Sequence, residues 1–238
     1  MSANVPAHEQ HPAIELREAA VRLGETDALH ASTLAVDART VAVIGENGSG
    51  KSTLARLLCG LVAPTGGRVR VLGLDPVRQA GELRRRVAVL FSNPDAQIVM
   101  PTVAEDVAFS LRADRLPRAE SAARVAEALD RFGLTDLAER SAHDLSGGQK
   151  QLLALAGAFV RRPELVVADE PTAYLDARNA RLVAGHLLAD TGHRLVLVTH
   201  DLSLAARCDA AVLVADGTVA AVGAPEQIID AYEAALAC

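Results

Sequence analysis

The chain has 238 residues, half of them apolar, and carries 24 Lys and Arg against 30 Asp and Glu for a formal net charge of −6. That length holds one α/β domain with a sizeable core and room for a small subdomain, and excludes two full-size domains. Basic residues are scattered in short runs such as Arg84-Arg85-Arg86, so no concentrated basic face marks nucleic acid as a partner. The three cysteines, Cys59, Cys208 and Cys238, are odd in number and lack metal-type spacing. Cys59 reads as core, and the expected compartment is a reducing cytoplasm. Residues 1–12 are polar and lack the layout of an export signal. The longest purely apolar run, residues 152–160, is too short to cross a bilayer, so any membrane role is expected to come through a partner.

Taken in order, residues 14–23 and 29–36 read as strands separated by a turn at Gly24-Glu25-Thr26-Asp27, and a third strand follows at 41–44. Short strands are expected at 67–72 and 87–91, the latter apolar enough to be buried on both faces. From about residue 92 to 163 the period changes to helical. Val103, Val107 and Leu111 recur at four-residue spacing, Pro117 interrupts, and Val125, Leu129 and Phe132 resume the pattern. An insert of that length exceeds a crossover helix and reads as a subdomain. Strands return at 165–168, 194–199, 210–215 and 218–222, with helices at 176–190 and 225–236. The reading is one domain over 13–223, followed by a C-terminal helix within 224–238.

Gly45-Glu46-Asn47-Gly48-Ser49-Gly50-Lys51-Ser52-Thr53 fits G-x-x-x-x-G-K-[ST] between an apolar strand and an apolar helix, which is where a phosphate loop stands. Glycines let backbone N–H groups turn inward around phosphate oxygens, and the helix adds its positive end to the same cavity. Lys51 is then the charge on the β- and γ-phosphates and Ser52 a Mg²⁺ ligand. Lys51 and Lys150 are the only lysines in an arginine-rich chain, and a compact ammonium suits a phosphate cradle better than a planar guanidinium. A Gly-rich turn that happens to contain Lys and Ser is the ordinary alternative.

A second motif, Leu165-Val166-Val167-Ala168-Asp169-Glu170, is an apolar strand ending in two carboxylates. Asp169 can hold Mg²⁺ through water, and Glu170 can orient and deprotonate an attacking water. A third, Leu145-Ser146-Gly147-Gly148-Gln149, opens a helix running to about Arg161. Ser146 can cap that helix and the glycines permit close backbone approach, making an outward-facing anion site.

In this order and spacing, with Tyr174-Leu175-Asp176 and Thr199-His200-Asp201, the set resembles the ATP-binding cassette ATPases from about Ile14 to about Val222. The resemblance implies an α/β fold: a P-loop NTPase core sheet with an N-terminal antiparallel β subdomain and an inserted α-helical subdomain. It implies an ATPase whose cofactors are ATP and Mg²⁺. It further implies a dimer, of two copies or with a related chain, in which ATP sits between the phosphate loop of one subunit and Ser146, Gly147, Gly148 and Gln149 of the other. Asp176 would lie at that interface, and His200 would contact the γ-phosphate. Transmembrane subunits would hold the dimer at the cytoplasmic face of the membrane.

Residues 91–97, Phe-Ser-Asn-Pro-Asp-Ala-Gln, and 101–109, beginning Pro101-Thr102-Val103, are similar to a stretch in the ATPases of energy-coupling factor transporters, which import vitamins and transition-metal ions. The compact C-terminus is similar to the biotin- or cobalt-type ATPases. The plainer reading makes Thr102 and Glu105 a helix cap. Two positions depart from the wider family: Ser92 stands where a glutamine is usual, and Leu23 where an aromatic ring stacks on adenine. A soluble cassette acting on ribosomes or DNA, and a nucleotide-gated interaction module without turnover, are the alternatives. The acidic pair Glu105 and Asp106 is expected at the rim of the groove that receives the membrane partner.

Overall fold

The structure is a computed structural model that describes residues 12–189 and 191–237. The polar stretch read at the N-terminus lies almost wholly outside the described residues, as do Asp190, where a helix was expected to end, and Cys238.

Strands β1 (Ile14–Leu23) and β2 (Thr26–Val36) form an antiparallel hairpin, β3 (Thr40–Ile44) leads into α1 (Lys51–Leu58), and β4 (Gly66–Val71) returns to pair with β1. Then come α2 (Ala80–Arg86), β5 (Val87–Leu90) and three helices, α3 (Val103–Ser110), α4 (Arg118–Arg131) and α5 (Gly147–Phe159). The chain closes with β6 (Leu165–Asp169), α6 (Ala177–Leu188), β7 (Arg194–Val198), α7 (Leu202–Ala205), β8 (Ala210–Ala215), β9 (Thr218–Gly223) and α8 (Pro225–Leu236). The first turn is tighter than the sequence reading had it. Leu23 already pairs with Thr26, so only Gly24 and Glu25 bridge the strands, and Gly24 takes the left-handed conformation at φ 62°. Thr26 and Asp27 belong to β2.

A three-stranded sheet, β2-β1-β4, is separate from a six-stranded sheet ordered β5-β6-β7-β3-β8-β9. In the larger sheet β5, β6, β7, β3 and β8 run parallel, and β9 is antiparallel to β8. Strand periodicity divides its side chains between two cores. Val41, Val43, Val167, Val196, Val198, Val212 and Val214 face the small sheet and α1, where Leu54, Leu57 and Leu58 meet them. The alternate residues Ala42, Ile44, Val166, Ala168, Leu195, Leu197, Ala211 and Leu213 face the helical side, packing with Val103, Val107, Leu153 and Phe159. The central strands are buried on both faces, which is why they read as unbroken apolar runs. No helix among the described residues is long and apolar enough to cross a membrane.

Strand β3 lies between β7 and β8, both of which come later in the chain, so the sheet order turns around the phosphate-loop strand. Ligands of open parallel sheets bind outside the carboxyl ends of the strands at such a point. Register makes those ends level: Val43 pairs with Val198, and Val198 with Asp169.

Candidate active site

At the end of β3 the chain enters the loop at Gly45, whose φ of 146° is open to glycine. A Cβ there would collide with the Val214 carbonyl oxygen. Gly50, left-handed at φ 105°, is the residue before α1, and a Cβ on it would come within 2.9 Å of the Ala28 carbonyl oxygen. The loop is thus pressed between β2 and the β8–β9 turn, where the Gly217 N–H donates to the Ser49 carbonyl at 3.0 Å. Lys51 is 6% exposed and its ammonium donates to the carbonyls of Gly45 at 2.8 Å and Glu46 at 2.7 Å. Burial holds the Lys51 pKa below its usual value, opposed by the charges of Glu170, Asp169 and Glu46. Among the described residues the buried Ser49 hydroxyl has no hydrogen-bond partner. An orphaned hydroxyl donor in a glycine loop that closes onto a helix N-terminus fits a ligand made of acceptor oxygens.

Beside the loop, the Ser52 hydroxyl donates to Asp169 Oδ1 at 3.1 Å. The next residue, Glu170, is left-handed at φ 51°, an uncommon and strained backbone for a non-glycine residue, and its N–H donates to the Val198 carbonyl at 3.0 Å. That turn carries Glu170 Oε2 to 2.8 Å from Nδ1 of His200, which follows β7. Glu170 is largely covered, whereas the imidazole is mostly exposed. The phosphate loop, Asp169, Glu170 and His200, read separately in the sequence, therefore converge.

The Ser146 segment lies elsewhere. Ser146 caps α5 in a two-way box: its N–H donates to Gln149 Oε1 at 2.9 Å, and its hydroxyl accepts from the Gln149 N–H at 3.4 Å. Gln149 is occupied within its own helix start. Asp176 caps α6, accepting from the N–H groups of Arg178 and Asn179 at 2.9 Å each. These N–H donors, that of Asn179 foremost, hold its carboxyl below the usual range. The Asn179 amide donates to Asp176 at 2.7 Å, and a Cβ on Gly148 would lie 2.5 Å from that amide. Asp176 and the Ser146–Gln149 turn thus form one surface, and neither lines the clefts around Lys51.

Two clefts open over the phosphate loop. The larger, about 880 Å³, is bounded by residues 46–53, by Thr26, Ala28 and His30 of β2, and by the end of α8. The smaller, about 440 Å³, brings Ser92 together with Glu46, Asn47, Glu170 and His200. Leu23 lines neither and is 41% exposed. The rings that line the larger cleft are His30 and Tyr232, positions the sequence reading did not single out.

Beyond Ser92, Asn93 caps a 3-10 turn at Pro94–Ala96. Gln97 then reaches back to β5: its Oε1 accepts from the Phe91 N–H at 2.8 Å and its Nε2 donates to the Val89 carbonyl at 2.9 Å. The two members of the acidic pair are placed differently, Glu105 exposed and Asp106 turned inward. Asp106 is 7% exposed and accepts from the N–H groups of Val99 and Met100 at 2.8 and 2.9 Å, while Glu105 completes a capping box with Thr102. Both carboxylates satisfy local backbone donors: Glu105 in the helix cap that the plainer reading expected, Asp106 on the segment before the helix, which that reading did not foresee.

A glycine loop closing the central strand onto a helix N-terminus, with a serine–aspartate pair and a glutamate–histidine pair at the neighbouring strand ends, defines a P-loop nucleoside triphosphatase. Residues 31–173 match the ABC transporter family, and the chain belongs to it. It is an ATP-binding ATPase of that family. It is 44% identical over 192 residues to the energy-coupling factor transporter ATP-binding protein EcfA1 of Lacticaseibacillus paracasei, covering 79% of this chain and 69% of that protein. Identity to the biotin transport ATP-binding protein BioM of Rhizobium etli is 40% over 208 residues, 87% of this chain and 92% of that one. Among solved structures, cbiO1 from Clostridium perfringens, part of the ABC transporter complex cbiONQ, superposes with a TM-score of 0.83 at 28% identity, covering 94% of this chain and 93% of that one.

Proposed function

We propose that this chain is the ATP-hydrolysing subunit of an energy-coupling-factor-type importer of a vitamin or transition-metal ion. The observation that carries the reading is the convergence of Lys51, Ser52, Asp169, Glu170 and His200 at level strand ends, in a chain about 40% identical to EcfA1 and BioM over most of its length.

Residues 45–53 wrap the triphosphate, with Lys51 leaving its loop carbonyls for the β- and γ-phosphates. A hydroxyl and a carboxylate oxygen 3.1 Å apart are the hard donors Mg²⁺ takes, and Ser52 and Asp169 would hold it alongside phosphate oxygens and water. When bound, that cation neutralises charge developing on the phosphates. Glu170 accepts the proton of the attacking water, and its hydrogen bond to His200 keeps the carboxylate aimed at the cleft. His200 is then near enough to reach a γ-phosphate oxygen.

Ser146, Gly147, Gly148, Gln149 and Asp176 make a surface away from this cleft within one subunit, which supports a composite site completed by a second cassette. The surface after β5 would meet the transmembrane subunits at the cytoplasmic face. Affinity-tagged chain isolated from detergent-solubilised membranes tests the reading. Recovery with an integral membrane protein that raises its ATP turnover is expected. Recovery only from the soluble fraction, with ribosomes or DNA, would overturn it in favour of a soluble cassette.

A further inference from the structure

Helix α8 carries an apolar stripe at helical spacing: Ile228, Ile229, Tyr232, Ala235 and Leu236. Its first half belongs to the core, where Ile228 is 5% exposed and Ile229 and Tyr232 pack beside it. Its second half leaves the core, and Tyr232, Ala235 and Leu236 become a wall of the larger cleft over the phosphate loop. Tyr232 alone of these three also lines the smaller cleft, with Ser92, Glu170 and His200. It therefore stands where the two clefts meet, beside Glu46 and Asn47, which border both. The ring is anchored in the helical-side core, and among the described residues its hydroxyl has no hydrogen-bond partner. Ser92, which lines the same smaller cleft, offers one hydroxyl on a single methylene.

We propose that Tyr232 is a further substrate-contacting residue, its phenolic O–H donating to an oxygen of the terminal phosphate of bound nucleoside triphosphate. The inference rests on the ATPase reading above and extends the site to the C-terminal helix. A phenol stays protonated near neutral pH and is a donor, and a donor facing an ionised phosphate makes a short, charge-assisted bond. Its position at the Glu170–His200 end of the phosphate loop makes the contact selective for the third phosphate. Tyr232 thereby adds a longer phenolic donor to a cleft in which Ser92 offers only a short hydroxyl.

Tyr232→Phe removes one oxygen and keeps the ring in the core. Affinities of parent and variant are measured for ADP and for a non-hydrolysable ATP analogue, each with Mg²⁺. The expected result is a loss of roughly tenfold for the ATP analogue, the size of one charge-assisted hydrogen bond, with ADP affinity changed less than about twofold. Adding Ser92→Gln to Tyr232→Phe should restore part of the preference for the triphosphate. Equal weakening for both nucleotides would make Tyr232 a structural residue and overturn the inference, and no change for either would overturn it as well. In those two cases a parent that binds and hydrolyses ATP leaves the ATPase reading standing. A parent that binds neither nucleotide overturns both.

Discussion

Lys150 Nζ lies 2.7 Å from Asp95 Oδ1, tying the first turns of α5, just after Ser146–Gln149, to the 3-10 turn that follows Ser92. Lys150 is 16% exposed and Asp95 58%, so the pair is a surface strap with one covered end. Such a pair contributes about 0–1 kcal/mol to stability, and Asp95→Asn or Lys150→Gln should leave the melting temperature nearly unchanged. Communication between the two segments is where the loss should show. Turnover stimulated by the membrane partner should fall several-fold in either variant while basal turnover holds, and exchanging the charges, Asp95→Lys with Lys150→Asp, should recover part of it. Unchanged stimulation in both single variants would reduce the strap to decoration.

Lys51 and Glu170 should fail in different ways. Lys51→Ala removes charge from the phosphate cradle and should weaken nucleotide binding by roughly tenfold or more. Glu170→Gln keeps the cradle and should bind ATP normally, while turnover drops about 10²–10⁴-fold. Nucleotide titration and phosphate release on the same preparations separate the two, and parent-like turnover in Glu170→Gln would mean that another group handles the water.

Asp106 is a folding residue. Asp106→Ala leaves the Val99 and Met100 N–H groups without their acceptor, and should cost about 1–3 kcal/mol in urea denaturation. Glu105→Ala, at an exposed capping box, should cost less. A larger loss at Glu105 than at Asp106 would contradict this division.

With Leu23 outside both clefts, no ring at that position holds the base. Leu23→Ala should leave ATP affinity within about twofold, and GTP should compete within about tenfold of ATP, since base stacking of roughly 1–3 kcal/mol is lacking there. ATP preferred by about a hundredfold or more would point to His30, whose ring lines the cleft next to Gly217.

Stability should fall on the acid side of neutrality in part through His186. Burial, with a smaller contribution from Arg131, holds its imidazole below the usual 6.5, and the ring packs 4.7 Å from that of Phe132. The unfolded chain takes up this proton at a higher pH than the folded one, so the folded state loses ground as pH drops from about 6.5 until both forms are protonated. His186→Gln should flatten that part of the profile of urea midpoint against pH.

The sequence announced its elements where one pattern dominated. Double-sided burial made β3, β6, β7 and β8 legible as apolar runs, and the glycine loop, Asp169-Glu170 and Ser146–Gln149 stood out because their residue types are tied to backbone geometry. Helices α2 and α7 were not read, since seven and four residues carry too few apolar positions for a period. Asp106 looked like its neighbour Glu105 because charge in a sequence does not tell which carboxylate folds inward onto Val99 and Met100. Tyr232 was invisible as a site residue for a topological reason: 180 positions separate it from Ser52, and only packing of α8 on the sheet brings it to the phosphate loop.

Gln97 has a consequence beyond its own loop. Strand β5 is the outermost member of the six-stranded sheet on its side, so its outward peptide groups would otherwise invite a foreign strand. The Gln97 carboxamide is itself an amide, and by meeting the Phe91 N–H and the Val89 carbonyl it imitates one peptide unit of a missing neighbour. The sheet is terminated by a counterfeit strand one residue long. Gln97→Leu would remove that stopper, and self-association through β5 should appear before any loss of nucleotide binding.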